Sequence, residues 1–141
     1  MNWQVRTFEF ERDYQAVRRL WELAGPGIQL SPSDEPAEIR KKLDRDPDLF
    51  LVAEANGELV GSVLGGFDGR RGMVYHLAVA KAYRHRGVAY QLMEVLEARL
   101  RSKGCLKYYL LVTEDNDGAK DFYEKIGCEV MSLDVMGKRL A

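Results

Sequence analysis

No stretch of this chain approaches the roughly 20 consecutive apolar residues that a membrane-spanning helix needs. The first residues, MNWQVRTFEFERDY, carry charges where a secretory signal would place an apolar run. Cysteine is scarce: Cys105 and Cys128 are the only two, spaced neither as a redox pair nor as a zinc site. Histidine is as rare, with His76 and His85 alone, and no carboxylate–histidine cluster offers ligands, so no metal is expected. Net charge is missing as well. Lys and Arg number 21 against 22 Asp and Glu, a formal charge of -1, so no global positive field draws the protein to nucleic acid or to an anionic membrane. These absences point to a reduced, cytoplasmic protein with two structural thiols and neither nucleic acid nor membrane as partner. Nothing decides between a monomer and a homodimer.

What remains is the balance of a globular protein, 46% hydrophobic and 30% charged. At 141 residues one core is affordable and two ordinary domains are not, so residues 1–141 are read as a single domain.

Residues 3–10 alternate apolar and polar, predicting a half-buried first strand. Tyr14, Val17, Leu20, Trp21 and Ala24 then recur at helical spacing until Gly25-Pro26-Gly27 stops the helix. A Ser-, Pro- and Asp-rich loop leads to a charged helix over residues 37–46 with Ile39 and Leu43 on one face. Residues 28–46 thus read as an excursion over the sheet and not as core. Residues 49–54 and 59–67 flank Asn56-Gly57, the signature of an antiparallel hairpin with a type I′ turn. Residues 73–79, MVYHLAV, are almost continuously apolar and suit a central strand.

The second half alternates helix and strand. Val88, Leu92, Val95, Leu96 and Leu100 stripe a helix over residues 87–103, with Gly104 as its cap. A strand over 108–113, a helix over 117–126 ending at Gly127, and a last strand within 129–140 follow. The predicted class is α/β, a mixed and mostly antiparallel sheet in which a meander feeds a β-α-β crossover.

Chemistry concentrates first in LAVAKAYRHRGVAY, residues 77–90, which runs from a strand through a basic loop into a helix start. Unsatisfied backbone N–H groups and the positive end of the helix dipole converge there and make an anion site. Gly87 has no Cβ, so a diphosphate can approach its backbone, while Arg84 and Arg86 add charge suited to phosphate oxygens. The plainer alternative is a solvated loop at Arg84, His85 and Arg86. The G-K-[ST] ending of a nucleoside triphosphatase loop is missing. A second stretch, EDNDGAKDFYEKIGCE, places Asn116 where a helix N-cap belongs and Tyr123 at the border of an apolar face formed by Ala119, Phe122 and Ile126. Tyr123 taken alone reads as a half-buried packing residue.

Taken together, Arg84-His-Arg-Gly-Val-Ala89 and Asn116 followed by AKDFYEKIG resemble the two signatures of the GNAT superfamily of acetyltransferases, Q/R-x-x-G-x-G/A and an asparagine ahead of F-Y-E-K-x-G. The order of elements is similar over nearly the whole chain. The resemblance implies a GNAT-like sheet with a splayed parallel strand pair, and acetyl-CoA as co-substrate. It places the cofactor on Arg84, His85, Arg86, Gly87, Val88 and Ala89, with the pyrophosphate on the amides of residues 86–89. The pantetheine arm would pair with backbone at Leu77, Ala78 and Val79, and Asn116 would shape the channel. Tyr123 would be the general acid.

The thioester is already activated, so such an enzyme aligns amine and carbonyl and manages protons. A strand N–H, that of Val79, would face the oxyanion. The base stays open among Glu114, Asp115 and His76, with Glu114 beside Tyr123 as the expected catalytic pair. The expected partner is a small-molecule or peptide amine, with a non-catalytic acyl-CoA-binding domain and a phosphate-binding module as alternatives.

Overall fold

The hairpin read from residues 49–67 lies in the middle of a five-stranded sheet in the computed structural model, which describes residues 2–141. β2 (Phe50–Ala55) and β3 (Glu58–Phe67) pair antiparallel about Asn56 and Gly57, whose φ values of 54° and 80° fit a type I′ turn. β1 (Gln4–Thr7) adds antiparallel to β2, and β4 (Gly72–Val79) adds antiparallel to β3. β5 (Tyr108–Leu110) joins β4 in parallel, giving the order β1-β2-β3-β4-β5. The mixed, mostly antiparallel α/β class read from the sequence is the class observed.

Helices cover both faces of this sheet. α1 (Phe10–Glu22) buries Tyr14, Val17, Leu20 and Trp21 in a cluster with Phe50, Val52, Leu64 and Ala78. A 3₁₀ turn, Pro32–Asp34, leads into α2 (Pro36–Arg45) on the same face. Ile39 is only 1% exposed and belongs to that cluster, so the 28–46 segment is core, contrary to the sequence reading. One apolar side chain on an otherwise charged helix is enough to seal this face, which a composition count does not detect. The strand–helix junction is held by charge: Arg6 donates to both oxygens of buried Asp13, at 2.7 and 2.9 Å, and to Glu54 at 2.7 Å. Burial, the largest single influence, would push the Asp13 carboxyl up; the Arg6 hydrogen bonds, the Glu9 N–H and the charges of Arg6 and Arg12 together outweigh it and hold the group below its ordinary value.

On the other face lies α3 (Val88–Ser102), with Leu92, Met93 and Leu96 fully buried. It packs where β3 has no side chains. A Cβ on Gly61 would stand 2.8 Å from Val88 Cγ1, and one on Gly65 would stand 2.7 Å from Leu96 Cδ1. Helix and strand are therefore closer than any side chain on these two positions would allow. α3 ends as Gly104 predicts: the Gly104 N–H bonds the Arg101 carbonyl and the Cys105 N–H bonds the Leu100 carbonyl, both at 3.0 Å.

Strands and α1–α3 lie in a compact unit, Met1–Leu111; a second unit spans Val112–Ala141. The second unit holds α4 (Asp117–Lys125), which closes with the same pair of hydrogen bonds, Gly127 N–H to Glu124 and Cys128 N–H to Tyr123. None of the α4 side chains is fully buried. The strand expected within 129–140 is not formed. Those residues have no regular structure, and Val130, Leu133 and Val135 are 70–74% exposed. Alternation belongs to a single segment, whereas a ladder needs a second one, and no described residue pairs with this stretch. β5 is likewise three residues long, not six.

The tight α3–β3 contact yields a test. Gly65→Ala should cost about 1–3 kcal/mol through overpacking against the buried Leu96, read as a lower urea midpoint at unchanged slope. An unchanged midpoint would mean that Leu96 has room to turn away and that this contact does not set the helix position.

Candidate active site

β4 is irregular where it matters. It pairs with β3 as Val74↔Gly65 and then as Leu77↔Val63, so Leu64 alone stands opposite both Tyr75 and His76. This is a β-bulge, which bends the strand and re-aims its side chains. The parallel pairing with β5 covers only Gly72, Met73 and Val74. Beyond it, β4 has β3 on one edge and no strand among the described residues on the other, because β5 ends where the parallel pairing ends. The Ala80 N–H bonds the Val60 carbonyl at 2.8 Å. By the alternation of an antiparallel ladder, Leu77 and Val79 then turn their N–H and C=O groups toward the open edge. Arg84 Nε donates to the Val79 carbonyl at 3.1 Å, which locates that carbonyl on this edge. Ala78 differs from its two neighbours: its backbone groups face β3, and its side chain is buried in the α1 cluster.

The chain leaves β4 through a 3₁₀ turn, Lys81–Tyr83, and reaches α3 by a loop with two positive φ values, His85 at 63° and Gly87 at 99°. Gly87 is the N-cap of α3, and no side chain caps the helix. The first N–H to bond back is that of Gln91, to the Gly87 carbonyl at 3.0 Å. The N–H groups of Val88, Ala89 and Tyr90 therefore have no acceptor within the helix. A Cβ built on Gly87 meets nothing within 4 Å, so the space beside it is open and only the backbone angle excludes other residues. An uncapped helix start with an open approach fits an anion, and no further side chain is needed to make it so.

The basic residues of this loop behave unequally. Arg84 is engaged with the strand carbonyl, while the Arg86 guanidinium lies 5.2 Å from the Tyr83 ring centre in a cation–π contact. His85 and both arginines are exposed. The sequence reading gave the two arginines the same task; in the fold Arg84 has a backbone partner as well.

Glu114, Asn116 and Tyr123 belong to the second unit. Asn116 caps α4 as expected, its Oδ1 accepting from the Ala119 N–H at 3.1 Å. Glu114 is exposed, and its backbone carbonyl accepts from the Lys120 ammonium. Tyr123 is half-buried, with the Phe122 ring edge-on at 5.2 Å. Burial pushes its phenol well above the ordinary value near 10, and Cys128 adds a smaller push in the same direction.

One contact escaped the sequence reading. His76 Nε2 lies 2.9 Å from Asp34 Oδ1, and the Trp21 ring meets the imidazole edge-on at 4.9 Å. Asp34, in the loop between α1 and α2, gave no local signal: its partner is 42 residues away.

Residues 10–128 match the family model described as the acetyltransferase (GNAT) family. The chain belongs to this family. An acetyltransferase of Pectobacterium atrosepticum is 46% identical over 138 residues, covering 97% of this chain and 95% of that one. Among solved structures, Ard1 from Thermoplasma volcanium superposes with a TM-score of 0.81 at 24% identity, over 94% of this chain and 86% of that one. The PaiA N-acetyltransferase from Thermoplasma acidophilum, in complex with coenzyme A, gives a TM-score of 0.76 at 21% identity, over 95% and 94%. The GNAT chain described here is accordingly an acetyl-CoA-dependent N-acetyltransferase. No group of three or more His, Cys, Asp or Glu able to hold a metal ion occurs among the described residues, and no helix among them is long and apolar enough to cross a membrane.

Acetyl-CoA should raise the melting temperature of the protein, by the equivalent of about 2.7 kcal/mol at a hundredfold excess over Kd. Gly87→Val forces a β-branched residue into φ 99° and places methyl groups in the open approach. We expect this variant to fold with a modest loss of stability and to lose most of the acetyl-CoA-induced shift. A full shift in Gly87→Val would put the phosphate cradle elsewhere.

Proposed function

We propose that this GNAT enzyme moves the acetyl group of acetyl-CoA to a primary amine by direct attack in a ternary complex. The observation that carries the proposal is the pairing of two unspent backbone features a short loop apart, the open edge of β4 and the uncapped start of α3. A CoA ester needs both: a place for a diphosphate and a strand-like edge for the amides of its arm.

In this reading the amides of Val88 and Ala89, with Gly87 giving close approach, hold the diphosphate, and Arg86 and His85 flank it. Leu77 and Val79 pair with the pantetheine amides. Their alternation supports these two positions over Ala78. Arg84, on the Val79 carbonyl, fixes the end of the strand and yields or shares that carbonyl when the arm docks. Val79 N–H faces the thioester oxygen and stabilises the charge that develops there as the amine adds. Asn116 shapes the channel from the start of α4.

Tyr123 is assigned as the general acid that protonates the departing sulfur. Its raised pKa keeps the phenol protonated at any working pH, which a donor requires. It also makes transfer to a thiolate whose conjugate acid has a pKa near 8.5 more uphill, so donation must accompany C–S cleavage. Glu114 is exposed, and solvent can reach it to pass protons outward.

An acceptor screen tests the overall proposal: spermidine, amino acids, an aminoglycoside and N-terminal peptides, each with acetyl-CoA and read by thiol release. Turnover with at least one amine is expected; acetyl-CoA binding without turnover on any would leave a binding domain. Tyr123→Phe keeps the ring and removes the proton. Its kcat on a good acceptor should fall by about one to three orders of magnitude with acetyl-CoA affinity little changed. An unaltered kcat, measured where chemistry limits turnover, would make Tyr123 a packing residue and leave water as the donor.

A further inference from the structure

The bulge in β4 gives two consecutive side chains to one face of the sheet. Tyr75 lies against Gly66 beside Lys42 of α2, and His76 lies against Trp21 of α1 and Asp34 of the 3₁₀ turn. His76 immediately precedes Leu77, the first residue of the open strand edge. It is thus the last side chain before the stretch where the acyl-bearing arm is proposed to pair, and it is the only imidazole in β4.

Its partner is unusually well fixed. Asp34 has a side-chain exposure of 6%, and its second oxygen, Oδ2, accepts from the Ser31 N–H at 3.1 Å within a capping box. Its backbone carbonyl accepts from the Tyr14 hydroxyl at 2.8 Å and from Arg18 at 3.5 Å. A carboxylate can only accept, so in the neutral ring the proton sits on Nε2 and Nδ1 is left as the basic atom. His76 is 16% exposed, so the ring is not sealed from solvent. The Trp21 indole N–H is buried with no partner among the described residues, so this face still has polar capacity unspent. For a purely structural histidine, burial with both nitrogens satisfied would be the expected outcome; among the described residues only Nε2 has a partner.

We infer that His76, oriented by Asp34, is the base that takes the proton of the acceptor amine. This rests on the acetyl-transfer proposal above. As the amine nitrogen bonds to the thioester carbon, Nδ1 of His76 accepts an N–H proton and the carbonyl pair moves onto oxygen. That pair then returns, the C–S bond breaks, and the sulfur receives the proton of Tyr123. The imidazolium and the phenolate, one proton in excess and one in deficit, are reset through water. Glu114 and Asp115 are displaced from this task because an imidazole is the stronger proton acceptor near neutral pH. The charged group in contact with the ring is the Asp34 carboxylate from the 3₁₀ turn; Tyr14 and Arg18 of α1 reach the backbone carbonyl of Asp34, and Tyr75 is the neighbouring titratable residue in β4.

The test uses the full chain with acetyl-CoA and whichever of spermidine, lysine, an aminoglycoside or an N-terminal alanine peptide supports turnover. His76→Gln retains an amide N–H able to reach Asp34 but has no basic nitrogen. Its kcat/KM should fall about a hundredfold or more, with kcat carrying the loss, and the acetyl-CoA thermal shift should persist. Asp34→Asn keeps an acceptor for Nε2–H without the charge, and should lower kcat by a smaller factor with the acetyl-CoA shift unchanged. If His76→Gln retains activity within threefold, His76 is only a strut between β4 and the turn, and the inference fails. Should that variant not fold, an unchanged kcat in Asp34→Asn overturns it instead. If the wild-type chain acetylates none of the four amines, the transfer proposal falls and takes this assignment with it.

Discussion

A backbone N–H or carbonyl aimed at a sheet edge must find a partner, and at Leu77 and Val79 no neighbouring strand among the described residues supplies one. This single deficit organises the first unit. It exists because β5 stops pairing at Val74 while β4 runs on to Val79, and because a bulge at Tyr75 and His76 bends β4 at that point. In a sheet meant only to be stable, such an edge is a liability that charges or covering segments would blunt. Here the covering is minimal: a single arginine, Arg84, reaches back from the next loop to one carbonyl. A peptide-like ligand can take its place without any strand having to unpair.

Much of this was legible locally. The Asn56-Gly57 turn, the Gly104 and Gly127 helix stops and the Asn116 cap are each written within a few residues, and each is formed by the hydrogen bonds that the residue types favour. The uncapped helix start at Gly87 was legible for the same reason, since a helix start and the loop before it are contiguous in sequence. What was not legible depends on partners far apart. The bulge is a property of the pairing between β3 and β4, and neither strand alone encodes it. Asp34 reads as one more acidic loop residue until the fold brings His76 to it. Ile39 reads as an isolated apolar residue in a charged helix until the α1 cluster closes over it. The opposite error occurred at residues 129–140, where a local alternation suggested a strand for which the described residues offer no ladder.

The two faces of the sheet divide the labour. On the α3 side, β3 gives up side chains at Gly61 and Gly65 so that the helix, and with it the Gly87 loop, sits close. On the α1 and α2 side, aromatic stacking of Phe8 on Phe50 at 3.9 Å and of Trp21 near Phe50 at 5.9 Å builds a rigid wall. Against that wall the imidazole of His76 is packed on one side and hydrogen-bonded on another. On the proposed reading, cofactor binding would draw on backbone groups and proton handling on side chains, from different layers that meet at β4.

The close seat of α3 on Gly61 and Gly65 has a metrical consequence. Because the helix cannot lift away from β3 without opening a gap, nor approach it further, the distance from the Gly87 amides to the strand edge at Val79 is as constant as the sheet itself. On the proposed cofactor site that spacing acts as a fixed gauge. A ligand held there by its diphosphate would bring to the strand edge only the atom that lies one set number of bonds along its arm, so length would be discriminated before any side chain reads the acyl group. Arms shorter or longer by one pantetheine segment would then bind at the loop and present the wrong atom at the strand.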